Sequence, residues 1–267
     1  MPASLPTPAA PAQDVTRSVL SIPAFRRLWN AMVFSSLGDW LGLLATTAMA
    51  QQLSGGSYTT ANFAIAGVFI ARLLPAVFLG PIAGVIADRL DRRKLMVSAD
   101  VMRAALYISI PIVNTYFWLY TAMILVECLT LFWSPAKEAT VPNLVGKEKL
   151  ENANQVSLLA AYGTAPIAAI LFSLLTLFAN AIESLFPFSI GGSIAIALYV
   201  NAASFAFAAI TIWGLKEIPK GAAAKKAKDE GVLKSLHDGW KSVSQTKIVR
   251  GLVVGMIGAF FAAGAVI

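Results

Sequence analysis

Apolar residues gather along the chain into seven stretches, roughly 29–53, 60–87, 95–113, 115–136, 153–180, 188–215 and 249–267, separated by short polar or glycine-containing breaks. A helix needs about 20 mostly apolar residues to cross the hydrocarbon core of a bilayer. The pattern therefore predicts an all-α integral membrane protein. Pro75 and Pro81 fall inside the long second stretch, so a tilted or kinked helix is expected there. Residues 1–20, rich in Pro and Ala, have no basic segment followed by an apolar one and read as a disordered tail rather than a cleaved signal peptide.

The polar breaks differ in charge. The turns near 54–59, 114 and 181–187 contain no Lys or Arg. Of the 21 basic residues, only Arg72 and Arg103 sit well inside the apolar stretches. The others crowd into or beside the tail, the 88–94 and 137–152 loops and the long 216–248 loop. Basic loops face the cytoplasm, so the N-terminus and these loops are expected on the cytoplasmic side of a plasma (inner) membrane.

Composition agrees. Charged residues are 13% of the chain and hydrophobic ones 57%, with a mean hydropathy of +0.70. A soluble domain usually carries about 25% charged residues. The net charge of +7 sits in loops rather than on one basic and aromatic surface, which argues against nucleic acid as a partner. The single cysteine, Cys128, lies in an apolar stretch, so neither a disulfide framework nor a thiolate metal site is expected.

The long loop contains a linker-like stretch, Gly221-Ala-Ala-Ala-Lys225-Lys226. Beyond it Leu233, Leu236, Trp240 and Val243 recur at helical spacing, an amphipathic segment suited to a membrane surface. The expected organisation is a tail over 1–20, a six-helix bundle over 21–215, a cytoplasmic loop over 216–248, and over 249–267 the start of a second transmembrane half. The last stretch ends at Ile267 without the polar or aromatic anchors that flank a spanning helix, and truncation of a longer chain is the expectation that follows.

Between the second and third stretches the chain reads Gly84-Val-Ile-Ala-Asp88-Arg89-Leu-Asp91-Arg92-Arg93-Lys94. This resembles the signature loop of the major facilitator superfamily, and it stands where that family has it. Asp91 departs from the pattern, which often has Gly there. Further segments are similar to one bacterial branch: Phe25-Arg-Arg-Leu-Trp29, Leu37-Gly-Asp39, Arg72-Leu-Leu-Pro75, Ser134-Pro-Ala-Lys137, Val141-Pro-Asn-Leu, Ala153-Asn and His237-Asp-Gly-Trp240. That branch contains enterobactin-type siderophore exporters, macrolide-type drug exporters and lysophospholipid transporters. The resemblance covers roughly residues 20–267, about half of a twelve-helix member. It implies a six-helix N-terminal bundle plus a seventh helix. It also implies a gating loop at Gly84, Asp88, Arg89, Arg92 and Arg93, with Asp88 latching onto a helix of the second half. Gly163 and Pro166 resemble an eroded antiporter packing motif, with Ala where Gly is expected.

Five charged residues fall well inside the stretches: Asp39, Arg72, Asp100, Arg103 and Glu127. Each costs at least about 2.5–3.5 kcal/mol at mid-depth and is a functional candidate by default. Ser35, Asp39 and Thr46 share one helical stripe, as do Asp100, Arg103, Tyr107 and Asn114, and Tyr120, Glu127, Thr130 and Ser134. These stripes are expected to line a central polar cavity. Asp39 and Glu127 are the carboxylates suited to bind and release a proton. One charge crossing the membrane is worth about 2.3 kcal/mol per 100 mV. Arg72 and Arg103 either hold an anionic substrate or form fixed interhelical ion pairs.

The function expected is alternating-access, proton-linked efflux of a small amphipathic molecule such as a drug, siderophore or lipid. No cofactor or metal is expected. The alternative is a truncated or half-size membrane partner that does not transport alone, its complement being a missing C-terminal half or a second membrane subunit. An integral-membrane lipid enzyme is the remote alternative: Asp88 and Asp91 lack the further residues of an Asp-x-x-Asp metal site. His237, the sole histidine, lies in the long loop, away from any intramembrane serine, and no phosphate-binding loop occurs.

Overall fold

The computed structural model describes residues 19–87, 90–185 and 192–218, together with Gly251 and Gly255; the side chains of residues 81, 82, 85, 180 and 182–185 are not described. The chain divides into a unit over Met1–Gly221 and a second over Ala222–Ile267. Of the second unit only Gly251 and Gly255 are described, both helical. Residues 1–18 of the N-terminal tail, the amphipathic segment and, apart from those two glycines, the seventh apolar stretch thus lie outside the described residues.

The first unit is built from α1 (Pro23–Leu53), α2 (Tyr58–Ala87), α3 (Arg92–Val113), α4 (Tyr116–Val145), α5 (Leu150–Tyr162), α6 (Thr164–Leu185) and α7 (Gly192–Trp213), with a 3₁₀ turn at Lys147–Lys149. Five segments, Tyr58–Gly80, Arg92–Val113, Tyr116–Val145, Lys147–Ala179 and Gly192–Trp213, are long and apolar enough to cross a membrane. α1 is not among them. Ser35, Ser36, Asp39, Thr46 and Thr47 dilute its apolar character. The helix tolerates this polarity because its neighbours, not lipid, cover much of it: it packs against α2, α4, α5, α6 and α7.

Local chemistry sets the ends. Pro23 stands at the start of α1, where its missing N–H is no loss, and α1 begins about six residues before the apolar stretch does. The Asp91 side chain accepts a hydrogen bond from the Lys94 backbone N–H at 3.1 Å and caps α3. This gives a physical reason for an acidic residue where the family pattern often has Gly. Between α3 and α4, Asn114 adopts the left-handed conformation (φ 51°) that closes a helix. Thr115 then caps α4 through the Trp118 N–H. α4 continues nine residues past the expected boundary, through Pro135 and Pro142. At 1.5 Å per residue its length is about 45 Å, enough for the hydrocarbon core and the headgroup layers. α2 stays helical through Pro75.

The fifth apolar stretch is α5 and α6 joined through a one-residue irregularity at Gly163, whose backbone stays near helical (φ −67°, ψ −18°) and whose N–H still donates to the Leu159 carbonyl at 2.8 Å. Pro166 has no N–H to donate to the Tyr162 carbonyl, which interrupts the helical pattern there. The Thr164 hydroxyl bonds the Ala160 carbonyl at 3.0 Å across the junction.

The order α1–α7–α3–α4–α2 closes into a ring, with α5 and α6 flanking α1. One apolar cluster centres on Phe25, Leu28, Met32, Met96, Trp133 and Ile212, and a second on Met49, Val68, Tyr107, Met123, Leu198 and Phe205. Alanines fill many of the remaining buried positions. Small residues let helices approach in lipid, where dispersion rather than water exclusion drives association. Gly38 and Gly42, one turn apart on α1, make the closest approach. A Cβ on Gly38 would collide with Ser204 Oγ and lie 2.7 Å from Asn201 Oδ1; one on Gly42 would lie 2.6 Å from both Asn201 Nδ2 and Tyr107 Oη. The outward faces of α2 and α6 are apolar, with Ile70, Val77, Phe78, Ile170, Leu174 and Leu177 all exposed, as contact with acyl chains requires.

Candidate functional site

The five charged residues of the apolar stretches, scattered over 89 positions of sequence, come together within the ring of helices. On α2 and α4, Arg72 Nε lies 2.9 Å from Glu127 Oε1. On α3, Asp100 and Arg103 form a close ion pair one turn apart, both side chains fully buried. The Trp133 indole N–H donates to the other Asp100 oxygen at 3.2 Å. Arg103 also donates to Thr130 Oγ1 at 3.4 Å and reaches Asp39 Oδ1 at 3.8 Å. Its guanidinium lies 4.5 Å from the Phe205 ring centroid and 5.3 Å from that of Trp133. Aromatic faces attract a desolvated cation, so Arg103 is held on several sides.

Both arginines are thus interhelical or intrahelical ion-pair members. Among the described residues the network sets three carboxylates against two guanidinium groups. Glu127 and Asp100 each have a close cation. Asp39 shares Arg103 with Asp100 at a longer distance, and its side chain is 33% exposed. It is the carboxylate in excess.

Asp39 and Arg72 border a cavity of about 410 Å³ between α1, α2, α4 and the α5–α6 junction, whose walls include Ser36, Trp40, Thr130 and Lys137. The polar stripes enter it only in part. From α1 it receives Ser36 and Asp39, whereas Ser35 and Thr46 are buried against other helices. From α4 it receives Thr130 and Ser134, whereas the Tyr120 hydroxyl donates to the Ala64 carbonyl at 3.2 Å. The α3 stripe does not line it. Asp100 and Arg103 are fully buried, Tyr107 stacks on Phe205 at 5.6 Å, and Asn114 ends the helix. The reason is position: α3 lies between α4 and α7 on the far side of the ring.

Of the loop residues, Asp88 and Arg89 lie outside the described residues. Gly84 is half-buried, and a Cβ there would meet nothing within 4 Å. Arg92 donates to the Ala139 carbonyl on α4 at 2.9 Å. Arg93 donates to the Leu215 carbonyl at 3.5 Å, just beyond α7, and lies over the Trp213 ring. Cations at the carbonyl ends of helices are favourable. Gly163 and Pro166 are both exposed. A Cβ on Gly163 would lie 2.5 Å from the Leu159 carbonyl of its own helix, so this glycine accommodates the junction rather than a neighbouring helix.

Several site residues escaped the sequence reading. Trp40 donates its indole N–H to the Ala161 carbonyl at 2.8 Å, tying α1 to the α5–α6 junction beside Asp39. Trp133 orients Asp100, and Lys137 borders the cavity. Asn201 is fully buried across Gly38 and Gly42. The Gly-x-x-x-Gly spacing at 38–42 and a lone Asn within an apolar stretch were the available signals; the tryptophans had none.

A family model described as a transmembrane secretion effector matches residues 15–267. Among curated relatives, an uncharacterized MFS-type transporter, YfiS, of Bacillus subtilis strain 168 is 30% identical over 130 residues, 49% of this chain and 30% of that protein. Macrolide efflux protein A of Streptococcus pyogenes is 26% identical over 246 residues, 88% of this chain and 55% of its own. Macrolide efflux protein A of Enterococcus faecalis is 30% identical over 197 residues, 70% of this chain and 55% of its own. The chain spans about half the length, or less, of these relatives.

Proposed function

Because the chain belongs to the transmembrane secretion effector family of the major facilitator superfamily, we propose that it serves proton-linked efflux of a small amphipathic molecule by alternating access. The single observation that carries the proton assignment is the excess of one carboxylate. Among the described residues Asp39 faces the cavity with no cation in close contact, sharing Arg103 at 3.8 Å and having Lys137 elsewhere on the same wall, whereas Glu127 and Asp100 are each closely paired. An unmatched charge inside a bilayer is costly, and taking up a proton removes that cost. Proton release toward one side and uptake from the other then tie the charge state of Asp39 to the direction the cavity faces. Arg103 transmits the change, since losing the Asp39 charge leaves it to Asp100 alone.

Alternating access rocks two helical bundles around a mid-membrane site. The proposal therefore includes a second bundle as partner, in the same polypeptide or in a separate subunit. It places the protein in the plasma membrane with its N-terminus cytoplasmic, on the distribution of basic residues. The Asp88 latch stays part of this proposal, with Arg92 and Arg93 anchoring the loop's C-terminal side to α4 and α7.

The test is flux of a macrolide and of an amphipathic anion in vesicles under an imposed pH gradient. Asp39→Asn is expected to abolish the gradient-dependent component, while Glu127→Gln lowers the rate without removing that dependence. Unchanged gradient dependence in Asp39→Asn overturns the assignment.

A further inference from the structure

The cavity beside Asp39 continues into a second one of about 600 Å³ between α4 and α5, bordered by Glu138, Asn154, Ser157 and Leu158 among others. Ser134, Lys137, Ala161 and Tyr162 border both, so Lys137 stands at their junction. Its side chain is only 18% exposed, and the ion pair it makes among the described residues is with Glu138 at 4.0 Å. That carboxylate is 71% exposed, and water screens such a contact almost entirely. The ammonium also lies 5.9 Å from the Trp133 ring centroid. Arg72, the other cation on the cavity wall, already has Glu127 at 2.9 Å. Among the described residues Lys137 is therefore a largely buried cation, facing open space, with no carboxylate in close contact, while Asp39, itself sharing its cation, borders the same cavity. Part of the wall is aromatic and apolar, with Trp40, Phe69, Leu73 and Tyr162, and part is polar, with Ser36, Asp39, Arg72, Thr130 and Ser134.

We propose that Lys137 forms an anion subsite that takes the carboxylate or phosphate group of an amphipathic ligand, whose apolar body lies against Trp40, Phe69 and Tyr162. The charge on Lys137 supplies attraction in a poorly hydrated site, and the hydroxyl of Ser134, one turn away on the same cavity wall, supplies a further donor. The subsite deepens the transport reading by naming a ligand class, and it rests on that reading only for its physiological meaning.

Binding to the purified full chain in maltoside micelles tests it, by equilibrium dialysis of four probes: 1-naphthyl phosphate, 1-naphthoate, 1-naphthylmethylammonium and inorganic phosphate. The two naphthyl anions are expected to bind wild type more tightly than the ammonium does. Lys137→Gln is expected to weaken them about tenfold or more, and Lys137→Arg to hold them within about threefold of wild type. Lys137→Glu is expected to reverse the preference toward the ammonium. Thermal melting of each variant confirms that it folds, and the Arg variant keeps the charge if the Gln variant does not. Naphthyl anions that bind wild type and Lys137→Gln equally overturn the subsite. Inorganic phosphate binding as tightly as naphthyl phosphate, with the same dependence on Lys137, overturns the amphipathic part and identifies a free anion as the ligand. Asp39→Asn, which removes a negative charge from the same cavity wall, is expected to strengthen naphthyl phosphate binding rather than abolish it. Failure of the flux test with Lys137-dependent binding intact thus removes the coupling mechanism alone, and the converse removes the subsite alone.

Discussion

Replacing Asp100 by Asn removes the close partner of a guanidinium that is completely enclosed. Arg103 would keep Thr130 at 3.4 Å, Asp39 at 3.8 Å and two aromatic faces, none of which matches a carboxylate in direct contact. Breaking a buried ion pair from one side costs about 3–5 kcal/mol, because the surviving charge stays buried. Polar contacts between membrane helices average only about 0.6 kcal/mol. The two classes of interaction are therefore separable by size. Asp39 and the rings compensate in part, so a loss near the lower end, about 3 kcal/mol, is expected. Reversible unfolding by sodium dodecyl sulfate in mixed micelles, followed by circular dichroism, measures it. The double variant Asp100→Asn with Arg103→Met removes both charges and is expected to recover most of the loss. A cost below about 1 kcal/mol for the single variant, or a double variant no more stable than the single, would show that Arg103 does not depend on Asp100 for its burial.

The glycines give a paired contrast. Gly42→Leu thrusts a side chain into Asn201 and Tyr107 and is expected to cost about 1–3 kcal/mol or more, whereas Gly84→Ala, with open space around it, should be neutral or stabilising by about 0.5–1 kcal/mol; thermal melting separates them. Asp91→Ala should cost about 1 kcal/mol through loss of the α3 cap and Asp91→Gly only a few tenths, measured by the same unfolding titration. Trp40→Phe loses one indole hydrogen bond to Ala161, worth about 0.5–1.5 kcal/mol. Hydrogen exchange across residues 159–166 should rise in that variant, and unchanged protection there would count against the tie between α1 and the α5–α6 junction.

Much of this fold is legible from the apolar pattern because a bilayer forces one answer: every backbone group must be paired, so an apolar stretch of spanning length becomes a helix. The irregularity in the fifth stretch was harder to foresee, since it comes from a single missing N–H at Pro166 within otherwise helical residues. The charged residues were legible as candidates for the same reason of cost, and the Asp100–Arg103 pair from its spacing of three. Their sorting was not. Which carboxylate is left without a cation depends on how α1, α2, α3 and α4 are arranged around the ring, and no local spacing encodes that arrangement. The α3 stripe shows the limit well: its periodicity is genuine, yet it faces α7 and α4 rather than the cavity. Trp40 and Trp133 read as apolar bulk in sequence and act in the site through their N–H groups.

In the proposed mechanism Asp39, and not Glu127, is the carboxyl group that exchanges a proton. Infrared difference spectroscopy of the purified protein in lipid, titrated between about pH 4 and pH 9, observes the protonated carboxyl stretch directly. A titrating band is expected in wild type and in Glu127→Gln, and its loss is expected in Asp39→Asn. A band that persists unchanged in Asp39→Asn and vanishes in Glu127→Gln would contradict the account.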